Sequence, residues 1–314
     1  MNVGYFLSSE ERSPRELIEQ AKRAEQAGFH ALWISDHFHP WTDAQGHSGF
    51  VWSVIGALAE ATALPVTTGV TCPTVRIHPA IIAHAAATSG VLHEGRFNLG
   101  VGSGEALNEH ILGDPWPGID QRLSMLEEAV EIMRELWQGG VVSHDGAHYV
   151  VDRARLYSRP DRAPDVLVSA FGPKALQTAA RIGDGYVSVA PDAGKLSRYR
   201  ELGGKGIAQA GLKVCWGADE AECVRTVRRL WPNEALSGEL SQVLPMPAHY
   251  EQATELVTEE HIAQAVTCGP DPERHVAAIQ AYVDAGYDEV YVSQIGDDQE
   301  GFLDFCKREI LPRF

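Results

Sequence analysis

The 314-residue chain reads as an α/β protein, a (β/α)8 TIM barrel. Short apolar runs alternate with amphipathic helical stretches, and eight such runs can be counted, each followed by a helix. Alternation at that count favours a barrel over an open doubly wound sheet with a small second domain, the competing topology. Two irregular stretches, about 139–164 and 231–270, break the rhythm. No composition shift or Ser/Pro-rich linker accompanies them, so they read as insertions in βα connections of one domain, 1–314.

The elements follow in order. Residues 2–7 form the first strand. Ser13-Pro14-Arg15-Glu16 then opens a helix: Ser13 suits the N-cap, Pro14 the first helical position, and Glu16 completes a capping box. Leu17, Ala21, Ala24 and Ala27 follow at helical spacing, and Gly28 ends the helix. The remaining strands are 31–35, 65–71, 96–101, 166–170, 185–190, 212–216 and 289–293. Helices are expected at 51–63, 80–92, 121–137, 174–182, 195–202, 220–230, 272–285 and 301–310. Leu123, Leu126, Val130, Met133 and Trp137 mark one face of the longest. Asp145-Gly146 signals a hairpin inside the first insertion.

Composition removes several function classes. Hydrophobic residues make up 44% and charged residues 22%, which excludes disordered, collagen-like and coiled-coil chains. No apolar stretch reaches the ~20 residues of a membrane span. The N-terminus lacks a basic lead and a long apolar run, so no secretory signal is expected. Cys72, Cys215, Cys223, Cys268 and Cys306 show no C-x-x-C spacing, and no H-x-x-x-H or H-E-x-x-H pair occurs. These features argue against a metal site or disulfide framework and for a reducing, cytoplasmic compartment. With 26 Lys+Arg against 43 Asp+Glu the net charge is -17, which repels nucleic acid and anionic membranes and leaves a small molecule as the expected partner.

In a barrel, chemistry collects where strands end. After the second strand, Asp36, His37 and Trp41 bring together a carboxylate, an imidazole and an indole. His37 can exchange protons near neutral pH, Asp36 could hold or polarise it or another group, and Trp41 supplies a flat wall or an N–H donor. A capped helix start with a packed Trp would use the same residues. After the third strand, Gly69 before Val70 marks a bulge, a close approach to a ligand, or a merely flexible end. After the fourth come Gly100, Gly102 and Gly104, then Glu105 and Asn108. No Lys-Ser/Thr follows the glycines and the G-x-G-x-x-G spacing fails, so neither a phosphate loop nor a dinucleotide fingerprint is present. Either a flat ring lies against this backbone with Glu105 facing it, or the segment is a tight turn capped by an acid. After the fifth, Ala170-Phe171-Gly172-Pro173-Lys174 leaves helix N–H groups free. Lys174 there opposes the helix dipole, which hints at a bound anion.

Taken together and in order, several of these segments resemble a known family. They are S-D-H-F-H-P-W at 35–41, G-V-T-C-P-T at 69–74, G-V-G-S-G-E-A-L-N-E at 100–109, the 170–173 segment, and R-I-G-D-G at 181–185. The chain resembles the luciferase-like flavin and deazaflavin oxidoreductases, and within them the group of coenzyme F420-dependent glucose-6-phosphate dehydrogenases. The resemblance spans nearly the whole chain and weakens from about 196 to 270. It implies a deazaflavin, coenzyme F420, at the C-terminal face of the barrel, and a non-prolyl cis bond at Gly69–Val70. It implies that His37, Trp41 and Glu105 surround the substrate carbinol and the deazaflavin. It places Asp36, Gly69, Val70, Asn108, Ala170, Phe171 and Gly172 against the cofactor. Gly69 stands where the family usually has Ser, and Phe171 where it usually has a small residue. FMN is the second cofactor candidate and would make the chain an oxygen-activating monooxygenase. A non-catalytic flavin-binding barrel is the third reading, and the trio of His37, Trp41 and Glu105 counts against it. A homodimer is the expected assembly.

The substrate end departs from the resemblance. Residues 230–273 contain eight acids and no Lys or Arg. H-I-A-Q-A at 261–265 stands where the family has a phosphate-binding Arg. Leu244, Pro245, Met246 and Pro247 add an apolar stretch, and Lys195 matches another family Lys only across a gap. A phosphate dianion would be unpaired there. The expected activity is hydride transfer between F420 and a non-phosphorylated alcohol or carbonyl.

Overall fold

Eleven strands and their helices are laid out in a computed structural model that describes residues 1–236 and 238–314. The strands are β1 (Asn2–Leu7), β2 (Leu32–Ile34), β3 (Val66–Thr68), β4 (Phe97–Val101), β5 (Val142–Asp145), β6 (Val150–Ala154), β7 (Val166–Ser169), β8 (Gly185–Ser188), β9 (Ala208–Cys215), β10 (Thr267–Cys268) and β11 (Glu289–Gln294). Eight of them pair in parallel in the order β1-β2-β3-β4-β7-β8-β9-β11, and β11 returns to β1. That closed ring, with helices in the connections, is the expected (β/α)8 barrel. β5 and β6 form the antiparallel hairpin of the first insertion.

β9 starts at Ala208, four residues before the expected 212. Its first residues, Ala208-Gln209-Ala210-Gly211, carry none of the β-branched or aromatic signal that marks a strand. Gln209 and Gly211 face the barrel interior, which is crowded there. Trp33 from β2 stacks on Tyr291 from β11, with ring centroids 4.6 Å apart, and its indole N–H donates to Gln209 Oε1 at 2.8 Å. A Cβ on Gly211 or Gly69 would lie 3.1 Å or 3.0 Å from the Trp33 ring. This accounts for the glycine at 69. A side chain there would press on a ring already pinned by Tyr291 and Gln209.

β10 was not anticipated. Residues 208–210 of β9 pair with β8, whereas 214–215 pair with β10 along the same edge. β8 and β9 therefore part toward the C-terminal end of the barrel, and β10 takes the vacated edge.

The second insertion is also more ordered than its sequence suggests. It contains short helical segments at Pro232–Ala235, Leu240–Val243, Pro247–Ala253 and Glu259–Ala265. Trp231, Val257, Ile262 and Val266 pack with Cys215, Cys223, Val224 and Val227 into a separate apolar cluster. Trp41 joins it, and its ring meets Tyr250 edge-on at 5.2 Å. The insertion thus folds over the strand ends and fixes one wall of the site. Among the described residues no helix is long and apolar enough to cross a membrane, and no His/Cys/Asp/Glu group could hold a metal ion.

Candidate active site

A cavity of about 670 Å³ opens at the C-terminal ends of the strands, within the usual range for small-molecule sites. Its wall contains Asp36, His37, Trp41, Gly69, Val70, Glu105, Asn108, Ala170, Phe171 and Gly172, the ten residues singled out from sequence. The Gly69–Val70 peptide is cis. Val70 points across to β4, where a Cβ on Gly102 would lie 2.9 Å from it. A Cβ on Gly100 would strike the Thr68 carbonyl oxygen, and Gly104 has φ +82°. The alternating glycines therefore make room first for the neighbouring chain. Gly102, Ser103 and Gly104 also leave a side-chain-poor strip facing the cavity.

Asn108 organises the catalytic candidates. Its Oδ1 accepts the backbone N–H groups of Phe38 at 2.9 Å and His39 at 3.1 Å, which fixes the orientation of the amide. Nδ2 then donates to Glu105 Oε2 at 3.2 Å and faces His37 Nδ1 at 3.1 Å. With Asn108 donating to Nδ1, the neutral ring carries its proton on Nε2. The His39 carbonyl, 3.2 Å from Nδ1, is a partner for the ring whenever Nδ1 carries a proton. Nε2 lies between two carboxylates, 3.5 Å from Glu10 and 3.9 Å from Glu105. The Trp41 ring covers the imidazole at 5.1 Å.

Of the two roles the sequence left open for Asp36, it takes the second and holds groups other than His37. Its buried oxygens accept from Thr71 Oγ1 and Arg76 Nη2, both at 2.8 Å. Arg76 also reaches Glu109: its backbone N–H donates to Oε2 at 2.7 Å, and Nε lies 3.4 Å from Oε1. Burial pushes the Glu109 carboxyl up to about 7 despite this cation. The folded chain therefore holds the Glu109 proton more tightly than the unfolded chain does. The resulting stabilisation is full below about pH 4.5 and fades as pH rises to about 7. Glu109→Gln lacks that loss. Its stability relative to wild type is expected to rise by on the order of 2–3 kcal/mol from about pH 5 to about pH 8. Melting temperatures of both proteins across that range provide the check, and a constant difference would contradict it.

Several wall residues escaped the sequence reading. Glu10, in the loop after β1, accepts from Ser8 Oγ at 3.0 Å and Ser35 Oγ at 2.7 Å. The run Ser8-Ser9-Glu10-Glu11-Arg12 stands at a strand end, so the rule applied to later strands would have found it. Lys213 of β9 enters the cavity with Trp231 beside it. Leu244, Pro245, Met246 and Pro247 do not line the cavity as expected. Gly238, Glu239, Ser241 and Gln242 of the same insertion do, because the short helix Leu240–Val243 turns its polar side inward.

On the opposite rim, Gly172 leaves the helix Pro173–Ile182 without a side-chain cap. The N–H groups of Lys174 and Ala175, at its second and third positions, therefore lack intrahelical acceptors. Phe171 stands beside them, 44% exposed. Lys174 is paired with Asp120 at 2.6 Å.

Residues 1–289 match the family described as luciferase-like monooxygenase. The chain belongs to that family. Within this luciferase-like family it is 35% identical over 327 residues to an F420-dependent glucose-6-phosphate dehydrogenase of Microbacterium testaceum, covering 100% of this chain and 97% of the relative. A protein of the same name from Intrasporangium calvum is 34% identical over 329 residues, covering 99% and 98%. Among solved structures, an F420-dependent secondary alcohol dehydrogenase in complex with an F420–acetone adduct superimposes with a TM-score of 0.91 at 30% identity, covering 99% of this chain and 98% of that one. The coenzyme F420-dependent tetrahydromethanopterin reductase of Methanopyrus kandleri shares the fold, with a TM-score of 0.80 at 21% identity and full coverage of both chains.

Proposed function

We propose that this luciferase-like chain is an F420-dependent oxidoreductase that passes a hydride between the cofactor and an uncharged alcohol or carbonyl compound. The observation that carries the reading is the charge distribution of the cavity. Glu10, Asp36, Glu105, Glu109 and Glu239 line it, against two lysines among the described residues. Both lysines are already paired, Lys174 with Asp120 and Lys213 with Glu234 at 2.9 Å. Asp36 and Glu109 share the buried Arg76, so a phosphorylated substrate would meet Glu10, Glu105 and Glu239 with no free cation among the described wall residues to pair with. The glucose-6-phosphate dehydrogenases among the relatives bear on the cofactor in this reading, not on the phosphate.

The wall suits a deazaflavin. The Gly102–Gly104 strip and Val70 offer a surface without long side chains, and the uncapped helix start at Gly172 offers N–H groups to a phosphodiester. When bound, F420 supplies the ring carbon that takes or returns the hydride. The chain's own part is to position the substrate oxygen and move its proton. In the tautomer that accepts from Asn108, His37 Nε2 is a donor, so it orients a carboxylate or the substrate oxygen rather than accepting a proton. Glu105, one-third exposed to the cavity, is then the proton acceptor. Glu10, almost fully buried, holds the imidazole from the other side.

Two titrations and one rate comparison test the proposal. Fluorescence quenching is expected to give tighter binding of F420 than of FMN; equal or tighter FMN binding sinks the cofactor. With F420 present, 2-propanol and unphosphorylated sugars are compared with glucose 6-phosphate. Turnover of the phosphate ester at micromolar concentration, with none of the neutral compounds, sinks the substrate class.

A further inference from the structure

The Lys213–Glu234 pair is the charged feature of the cavity for which the proposed hydride transfer has no use. β9 alternates its side chains between the two faces of the barrel wall. Ala208, Ala210, Leu212 and Val214 join the outer core, and the opposite phase carries Lys213 inward. Its Nζ lies 2.9 Å from Glu234 Oε1 and 4.5 Å from the centre of the Trp231 ring. Trp231 is itself pinned, since its indole N–H donates to Glu11 Oε1 at 2.5 Å and Glu11 also accepts from the Gly296 N–H. The lysine is therefore held in a fixed slot between an aromatic face and a carboxylate. Side-chain exposure of 19% for Lys213 and 27% for Glu234 makes this a sheltered pair, unlike the outer pair of Lys174 and Asp120 at 63% and 73%. Water screens the outer pair and leaves its partners mobile.

We infer that Glu234 is a specificity-determining residue, which occupies Lys213 and so excludes anionic substrates from the cavity. Without that carboxylate, Lys213 would present a partly desolvated ammonium beside Trp231, a ready site for a phosphate monoester or carboxylate group. With it, an incoming anion must compete with a carboxylate held 2.9 Å away while also facing Glu239 on the adjoining turn. A neutral substrate faces no such contest and can share hydrogen bonds with both members of the pair. This rests on the neutral-substrate reading above and names the residue responsible for it.

Calorimetric titration of inorganic phosphate into cofactor-free protein tests the inference. Glu234→Gln, and Glu234→Leu as a second variant, are expected to bind phosphate about tenfold or more tightly than wild type. Lys213→Met added to either variant is expected to abolish the gain. Glucose 6-phosphate in place of phosphate should give the same ranking. Failure of both Glu234 variants to gain affinity overturns the inference. So does a gain that survives Lys213→Met, or a wild-type affinity that Lys213→Met alone reduces, since Lys213 would then already bind the anion. The titration needs no cofactor and no turnover, so its outcome stands apart from whether F420 is the cofactor.

Discussion

Glutamine in place of Glu105 is expected to lower kcat on a neutral secondary alcohol by about 10²–10⁴-fold, with the Kd for F420 changed by less than about threefold. The structure separates the two effects. Glu105 contacts the rest of the wall mainly through Oε2, which accepts from Asn108 Nδ2 at 3.2 Å. A glutamine oxygen can accept the same bond, so Asn108 keeps its hold on His37 and on the backbone of Phe38 and His39. What glutamine lacks is a basic oxygen and a negative charge. While His37 Nδ1 accepts from the Asn108 amide, Nε2 is a donor, and the imidazole takes over as acceptor only by changing tautomer. Glu10 is buried and accepts from both Ser8 and Ser35. Turnover near wild type in Glu105→Gln would mean that another group receives the proton. Parallel losses of kcat and cofactor binding would mean that Glu105 shapes the wall and does no more.

The strand ends were legible because they repeat. Each βα unit places its strand terminus at the same face of the barrel, so reading the residues after the strands brought Asp36, His37, Trp41, Gly69 and Glu105 into view, and the family resemblance added Val70 and Phe171. Residues whose role depends on contacts between units left no such trace. Arg76 joins Asp36 to Glu109 across 40 and 33 positions of chain, and no periodicity connects them. Lys213 was hidden by a strand start placed at 212. Without Ala208–Gly211 in the strand, its alternation had too little length to show which face Lys213 takes. The search for cations therefore covered the 230–273 insertion, which has none, while the strand before it supplied one. For Asp36 the sequence left two partners open, the neighbouring His37 or another group. Side chains at adjacent positions of an extended segment point apart, and Asp36 turns instead to Thr71 and Arg76.

Arg76→Met is expected to cost about 3–5 kcal/mol of stability at neutral pH and to weaken cofactor binding with it. Arg76 is 5% exposed as a side chain, against 0% for Asp36 and 1% for Glu109. Removing the cation leaves the Asp36 carboxylate in a dry space, beside a Glu109 carboxyl that burial already pushes up to about 7 and that takes up its proton more readily without the guanidinium. Asp36 keeps the Thr71 hydroxyl, and Glu109 keeps the backbone N–H of residue 76, but neither keeps a charge partner. Uncompensated buried charge is far more costly than the loss of a surface pair. The cost belongs to the buried partners left without a cation rather than to the missing guanidinium. Restoring neutrality should therefore recover much of it. Asp36→Asn and Glu109→Gln added to Arg76→Met give a triple variant with no buried charge in the cluster, expected to melt above the single Arg76→Met variant although it carries more substitutions. Thermal melts of the two proteins at neutral pH decide the point. A triple variant less stable than the single would show that Arg76 contributes through packing and geometry. The two carboxylates would then tolerate burial without it.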